Sequence, residues 1–189
     1  MRQNPERRQA LLDAAIEVLA AEGSRGLTLR AVDKAASVPI GTTTNYFAHR
    51  GDLLSQVMLR IRERLTPDPA GVQRIMEAGP TRDAVREMLH WLMERMRDNR
   101  SSGLALLELR LEATRRPELR AEMAGFLSTD LTANVDFHLA SGLPGDQIGV
   151  LVMYLAMWGL IVDDLTAPDL LAPYGEDALI DTIVDRLLV

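Results

Sequence analysis

Residues 28–54 read TLRAVDKAASVPIGTTTNYFAHRGDLL. The stretch predicts two short helices joined by a tight turn. Thr28 can cap the first, which runs from about Leu29 to Ala36, with Ser37 and Val38 in the turn. Pro39 can stand in the first turn of the second, where its missing N–H is harmless. That second helix carries Thr42, Thr43, Thr44, Asn45 and Tyr46, with Phe47 at its end. Small hydrogen-bonding side chains in such density make a poor core element. They suit the major groove of DNA, where short polar groups meet base edges and phosphates.

Helical periodicity extends through nearly the whole chain of 189 residues, and no alternating strand pattern stands out. A first helix is predicted from about Pro5 to Glu22, with Leu12, Ile16 and Leu19 on one face. Gly23 and Gly26 end it. Arg50-Gly51-Asp52 opens a connecting helix that reaches about Leu65. TPDPAG, from Thr66 to Gly71, breaks the pattern. Further helices are expected after Pro80-Thr81, over Leu104–Ala113, from Pro117 to just before Ser141, from Pro144 to about Leu165, and from Glu176 to Leu188. The predicted fold is all-α with about nine helices. Residues 1–50 form a helix-turn-helix head, residues 51–66 a connecting helix, and residues 67–189 a helical bundle.

Charge follows the same division. The net charge is −6, yet residues 1–66 hold ten Arg and Lys against seven Asp and Glu, whereas residues 67–189 hold eleven against twenty. A mildly basic head on an acidic body is expected when only the head meets phosphate. The chain has no cysteine, which removes disulfide and thiolate chemistry and fits a cytoplasmic protein. The N-terminal MRQNPERRQ has no apolar run behind it, so no signal peptide is expected. The longest uncharged apolar run, Ile148 to Val162, falls short of the roughly 20 residues that cross a bilayer.

Gly26-Leu27-Thr28, Val38-Pro39-Ile40-Gly41-Thr42, Asn45-Tyr46-Phe47 and Arg50-Gly51-Asp52-Leu53-Leu54 stand in an order and spacing that resembles the DNA-binding head of the tetracycline-repressor (TetR) family. The match covers about Arg8 to Met58. The resemblance implies a DNA-contacting set of Thr28, Arg30, Ile40, Gly41, Thr42, Thr44, Asn45, Tyr46 and Arg50. In it Thr28, Tyr46 and Arg50 meet phosphate, Arg30 meets a guanine edge or a phosphate, and Thr42 and Thr44 face the groove. Phosphate contacts set register and base contacts set sequence. Thr28 is equally readable as a plain cap, and Asn45 as bonded to its own helix. Phe47 and Val32 read as core, and His49 as a solvent-facing turn residue. Thr43 stands where the family usually has an aliphatic residue and is expected semi-buried. Ser37 stands where the turn usually has glycine. If that position needs a positive φ, serine costs about 1 kcal/mol there.

The resemblance implies a body that binds a small molecule and pairs two subunits. Met88, Trp91, Met96, Met123, Phe126, Phe137, Met153, Met157 and Trp158 are candidates to line an adaptable pocket. His90, Asn134, His138 and Tyr154 are candidates to orient a ligand. A methionine and aromatic stripe is also what an ordinary core looks like. The segment Ile148–Val162 is apolar around its circumference and must be buried on several sides. Ile148, Val152, Leu155 and Gly159, with Leu179, Ile183, Val184 and Leu187 of the last helix, are the expected homodimer interface.

Catalytic groups are scarce. His90 and Glu94, spaced i, i+4, read as a solvated pair. There is no Gly-rich phosphate loop and no paired Glu-x-x-His. No enzymatic activity, cofactor or metal is expected. The expected function is a one-component transcription regulator, more readily a repressor. It would bind a palindromic double-stranded operator as a homodimer and be released by a small-molecule effector. An α-helical protein adaptor and an activator of the same family remain alternatives.

Overall fold

The computed structural model describes residues 4–188, so Met1 to Gln3 and Val189 lie outside the described residues. Its elements are α1 (Pro5–Gly26), α2 (Leu29–Ala35), a 3-10 turn (Thr43–Asn45), α3 (Arg50–Leu65), α4 (Pro69–Met76), α5 (Arg82–Asp98), α6 (Arg100–Ala113), α7 (Pro117–Ala140), α8 (Gln147–Thr166), a second 3-10 turn (Ala172–Tyr174) and α9 (Glu176–Leu187). No strand occurs among the described residues, and the all-α expectation holds.

Residue contacts divide the chain into two compact units. The first is residues 1–66 with 99–126, the second 67–98 with 127–189. In the first, α1 packs on α2, α3 and α6, and α3 also packs on α6. Its core is Leu11, Ile16 and Leu19 of α1, Val32 of α2, Phe47, Leu53, Val57 and Ile61 of α3, and Leu109 of α6, all fully buried or within 1% of it. Asn4 opens α1 by accepting from the amides of Glu6 and Arg7 at 2.9 and 3.3 Å. Gly23, at φ 68°, ends its regular part, which matches the predicted stop.

In the second unit α4 packs on α5, and α5, α8 and α9 pack on one another. Val85, Met93, Val150, Met157, Ile161, Ile180 and Val184 form its interior. The approach of α8 to α9 is close at Gly149, where an added Cβ would lie 2.3 Å from the Leu187 carbonyl oxygen. Likewise Gly71 of α4 faces Trp91, 2.5 Å from where a Cβ would stand.

Four local expectations change. The predicted helix from Pro39 shrinks to a 3-10 turn, because Gly41 takes φ 91° and directs the chain out of the helical region. Residues 69–71, read as the end of a break, instead open α4, capped by Asp68 with Pro69 in its first turn. The α6 helix starts at Arg100 rather than Leu104. The α8 helix starts at Gln147 rather than Pro144, since Asp146 accepts from the Gly149 amide at 2.7 Å and fixes the cap there. With Gln147, Asp163 and Asp164 included, α8 is 20 residues and would suffice, by length and composition alone, to cross a membrane. One of its faces is spent on α5 and α9.

Candidate functional site

The helix-turn-helix segment is built around one buried carboxylate, Asp33, which no sequence motif marks. Asp33, 1% exposed on α2, accepts from the Gly41 amide at 2.7 Å, the Thr43 amide at 2.7 Å and the Thr43 hydroxyl at 2.5 Å. Burial alone would raise its carboxyl. The Thr43 hydroxyl and the Thr43 and Gly41 amides outweigh burial and hold it below its ordinary value. Thr43, expected semi-buried, is fully buried, and its hydroxyl is the reason a polar residue fits there. Asp33 therefore serves as the cap of the recognition turn from a different helix. Its one sequence signal is an acid ten residues before a threonine, a spacing that no local rule reads.

This lock presents the candidate DNA residues outward. Ile40 is 73% exposed, Arg30, Thr44 and Asn45 are exposed, and Thr42 and Tyr46 are half-buried. The Thr42 and Thr44 hydroxyls donate to the Pro39 and Gly41 carbonyls, each at 2.6 Å, which leaves their oxygens able to accept from outside. Arg8 donates to the Tyr46 carbonyl at 3.1 Å and lies 4.8 Å over the Phe47 ring. Phe47 is core, as expected. Ser37 has φ 54°, the positive value that glycine would take without strain.

Thr28 caps α2, accepting from the Ala31 amide at 3.0 Å. It shares an open cleft of about 430 Å³ with Ser24, Arg25, Leu27, Leu29, Arg50, Glu112 and Arg116. Arg50 faces inward along that cleft. Its Nε donates to the Leu27 carbonyl at 3.1 Å, and its Nη2 to the Ser24 carbonyl and hydroxyl at 2.5 and 2.8 Å. Its Nη1 sits 3.6 Å from Glu112 of α6. A second α6 carboxylate, Glu108, accepts from the Ser24 amide at 3.1 Å. The α1–α2 connection is thus held by Arg50 from one side and by α6 from the other. His49 does more than line a turn: its Nδ1 accepts from the Asp52 amide at 3.1 Å while Asp52 accepts from Ala48, a reciprocal cap on α3.

The pocket candidates fall in both units. Met123 and Phe126 belong to the first, where Phe126 is buried under the Arg62 guanidinium at 4.4 Å. In the second, Met96, Met153 and Met157 are buried, and Met88, Tyr154 and Trp158 are half-buried. Trp91 is half-buried against Gly71, with Arg95 4.8 Å over its ring. His138 is buried with Nε2 2.8 Å from the Pro144 carbonyl, so it ties off the end of α7. Asn134 is exposed and donates to the Asp130 carbonyl one turn earlier, and Phe137 is partly exposed.

A cavity of about 160 Å³ lies elsewhere in the second unit. Met93, Leu160, Leu171 and Leu179 form its apolar side, and Arg97, Asp163, Asp164 and Glu176 its polar side. Arg97 meets Asp164 at 2.8 Å and pairs with Glu176; the Glu176 bond, then the Asp164 bond, raise the guanidinium further above its ordinary range.

Of the interface candidates, Ile148, Val152, Leu155 and Gly159 form one exposed row along α8. An added Cβ at Gly159 would meet nothing within 4 Å. Leu179, Ile183 and Leu187 are half-buried, and Val184 is fully buried within its own unit.

No curated protein matches the chain in sequence. Solved structures do. A TetR-family member from Streptomyces coelicolor A3 is 29% identical, with a TM-score of 0.69 over 98% of this chain and 99% of that one. The multidrug binding protein EbrR, solved with imidazole, is 29% identical with a TM-score of 0.66 over 98% and 97%. A transcriptional regulator from Rhodococcus sp. Rha1, 18% identical, shares the fold with a TM-score of 0.73 over 96% and 95%. Residues 80–189 match the tetracyclin repressor-like C-terminal domain. With that domain over more than half its length, the chain belongs to the tetracycline-repressor family of transcriptional regulators.

Proposed function

We propose that the protein is a homodimeric repressor that reads a palindromic operator with its head and leaves it when a small molecule binds the body. The observation that carries this reading is the exposed recognition turn. Ile40, Thr42, Thr44, Asn45 and Tyr46 are displayed on a backbone that Asp33 holds rigid from below. A site whose polar groups are positioned before binding loses less entropy on docking.

In this reading Thr28, Arg30 and Tyr46 contact phosphate, Gly41 supplies the φ the turn needs, and Thr42, Thr44 and Asn45 face base edges. Arg50 acts on DNA by holding the α1–α2 connection in place. The exposed α8 row, continued by Leu179, Ile183 and Leu187 of α9, pairs two copies about a two-fold axis, which matches the symmetry of a palindromic site. EbrR has been solved with ethidium, proflavin and malachite green, at 27%, 27% and 26% identity. By that likeness the effector is a flat aromatic compound, taken among the methionine and aromatic side chains of the body. It releases DNA only through a difference in its affinity for the two states, typically about 1–3 kcal/mol of coupling.

The test is fluorescence anisotropy on the DNA upstream of the protein's own gene, at two salt concentrations, with wild type beside the double variant Arg30→Ala, Tyr46→Phe. Tight, salt-sensitive binding that the variant loses supports the reading. If selection from random duplex sequences also yields no site that discriminates the two proteins, the head is not a DNA reader.

A further inference from the structure

We propose a divalent transition-metal site of the zinc type at His90, Glu176 and Asp177. His90 lies on α5 and the two carboxylates lie in the first turn of α9, so residues 86 positions apart in sequence converge from two helices. One ligand atom from each lies within 4.8 Å of the other two. His90 Nδ1 is 3.6 Å from Asp177 Oδ1.

The geometry and charge suit a small dication. Ligands at about 2.0–2.1 Å from tetrahedral zinc stand roughly 3.3 Å from one another. The His90–Asp177 pair is already near that separation. The Glu176 carboxylate closes the rest by a rotamer adjustment, which a partly exposed side chain makes readily. One imidazole and two carboxylates neutralise the dication and leave a fourth position for water. The imidazole selects zinc, cobalt or nickel over magnesium or calcium.

Glu176 also pairs with Arg97, and this pairing does not block the site. Arg97 reaches Asp164 with Nε at 3.0 Å and Nη2 at 2.8 Å, so it keeps an anionic partner when Glu176 turns to a metal. A carboxylate also has enough lone pairs to serve a guanidinium and a cation together. The start of α9 has room for such a clip, since its N-cap, Gly175, contributes no side-chain cap. A metal there joins α9 to α5 across the wall of the 160 Å³ cavity, to which Glu176 also belongs. The site does not depend on the DNA reading.

The experiment uses the full chain, stripped with a chelator and dialysed, titrated with zinc chloride by calorimetry and with cobalt chloride by visible absorption. The expected result is one equivalent bound with micromolar affinity, with a cobalt spectrum showing nitrogen and oxygen ligands. His90→Ala and Asp177→Asn each weaken binding at least tenfold, and His49→Gln leaves it unchanged. Zinc also shifts the ring resonances of His90 in the wild-type protein, a readout that needs no variant to fold. Less than one equivalent, affinity indifferent to His90→Ala, or no perturbation of the His90 ring would overturn the proposal.

Discussion

Replacing Asp33 by asparagine removes a charge and turns one acceptor oxygen into a donor, while the side chain keeps its shape. In the native head one carboxylate oxygen serves the Gly41 amide and the other serves both the amide and hydroxyl of Thr43. Asparagine can offer its single oxygen to the Thr43 side, which leaves the Gly41 N–H facing an NH2 group. Stranding that amide costs about 1–3 kcal/mol, and the two surviving bonds each lose about 1 kcal/mol when their acceptor becomes neutral. The variant is therefore expected to be about 3–5 kcal/mol less stable, a large share of the stability of an ordinary domain. Urea denaturation followed by far-ultraviolet circular dichroism reads the total, and amide exchange at Gly41 and Thr43 locates it. The pH dependence has a fixed sign. Because folding holds the Asp33 carboxyl below its ordinary value of 3.8, its contribution is complete above that value and is lost as pH falls through the lower, folded value. The gap between wild type and Asp33→Asn should therefore narrow below about pH 4, as carboxylates protonate. A loss under 1 kcal/mol, with Gly41 and Thr43 still protected, would refute the idea that this carboxylate sets the recognition turn.

Ser37→Gly relieves the positive φ and should add about 1 kcal/mol, visible as a higher urea midpoint at unchanged slope. On the dimer reading, Leu155→Glu places a charge in the middle of the exposed α8 row. Sedimentation velocity should then find monomer where the wild type gives dimer; an unchanged dimer would move the interface elsewhere. Gly149→Ala drives a methyl to 2.3 Å from the Leu187 carbonyl and should cost about 1–3 kcal/mol on thermal melting. Arg50→Gln removes the guanidinium from Ser24 and Leu27. On the proposed DNA reading it should lower operator affinity while leaving the salt dependence near its wild-type slope, whereas loss of a direct phosphate contact reduces that slope by about one.

The helical elements were legible because their determinants are local. Pro5, Pro117 and the Gly23 break fix helix ends by backbone chemistry that neighbouring residues do not alter. The turn from Ser37 was legible through a family position, and φ 54° is what that position imposes. The recognition segment was overread because helical propensity of a threonine run says nothing about Gly41, whose positive φ and pairing with Asp33 shorten it to one 3-10 turn. Asp33 is not legible for the complementary reason. An acid in a short helix reads as solvated unless its partner is known, and Thr43 becomes its partner only once the chain has folded back. Arg50 shows the limit of a motif. A basic residue at the start of α3 reads as a phosphate contact, yet three of its donor contacts go to Ser24 and Leu27. His90, Glu176 and Asp177 were out of reach altogether, since only tertiary packing brings them together.

The elements that carry the proposed DNA-contacting residues are too short to be stable by themselves. A helix of seven residues and a 3-10 turn of three lie well under the length at which isolated helices persist in water. Their order must be imposed from outside, and the first unit does so twice. Apolar packing of α1 against α6 supplies the floor, with Leu11, Ile16, Leu19 and Leu109 fully buried. Polar contacts then set position: Glu108 grips the Ser24 amide, Glu112 faces Arg50, and Arg50 holds the carbonyls of Ser24 and Leu27, next to Thr28 at the start of α2. Packing of this kind is tolerant of small displacements, whereas the 3.1 Å hydrogen bond from the Ser24 amide to Glu108 is not; Glu112, 3.6 Å from Arg50, is itself held by Arg116 at 2.6 Å. On the proposed reading, a shift of α6 of an ångström or so would leave the floor intact while loosening the grip on the α1–α2 connection. On that reading the two carboxylates of α6, four residues apart, are the groups that would couple the placement of α2 to the conformation of the remainder of the unit.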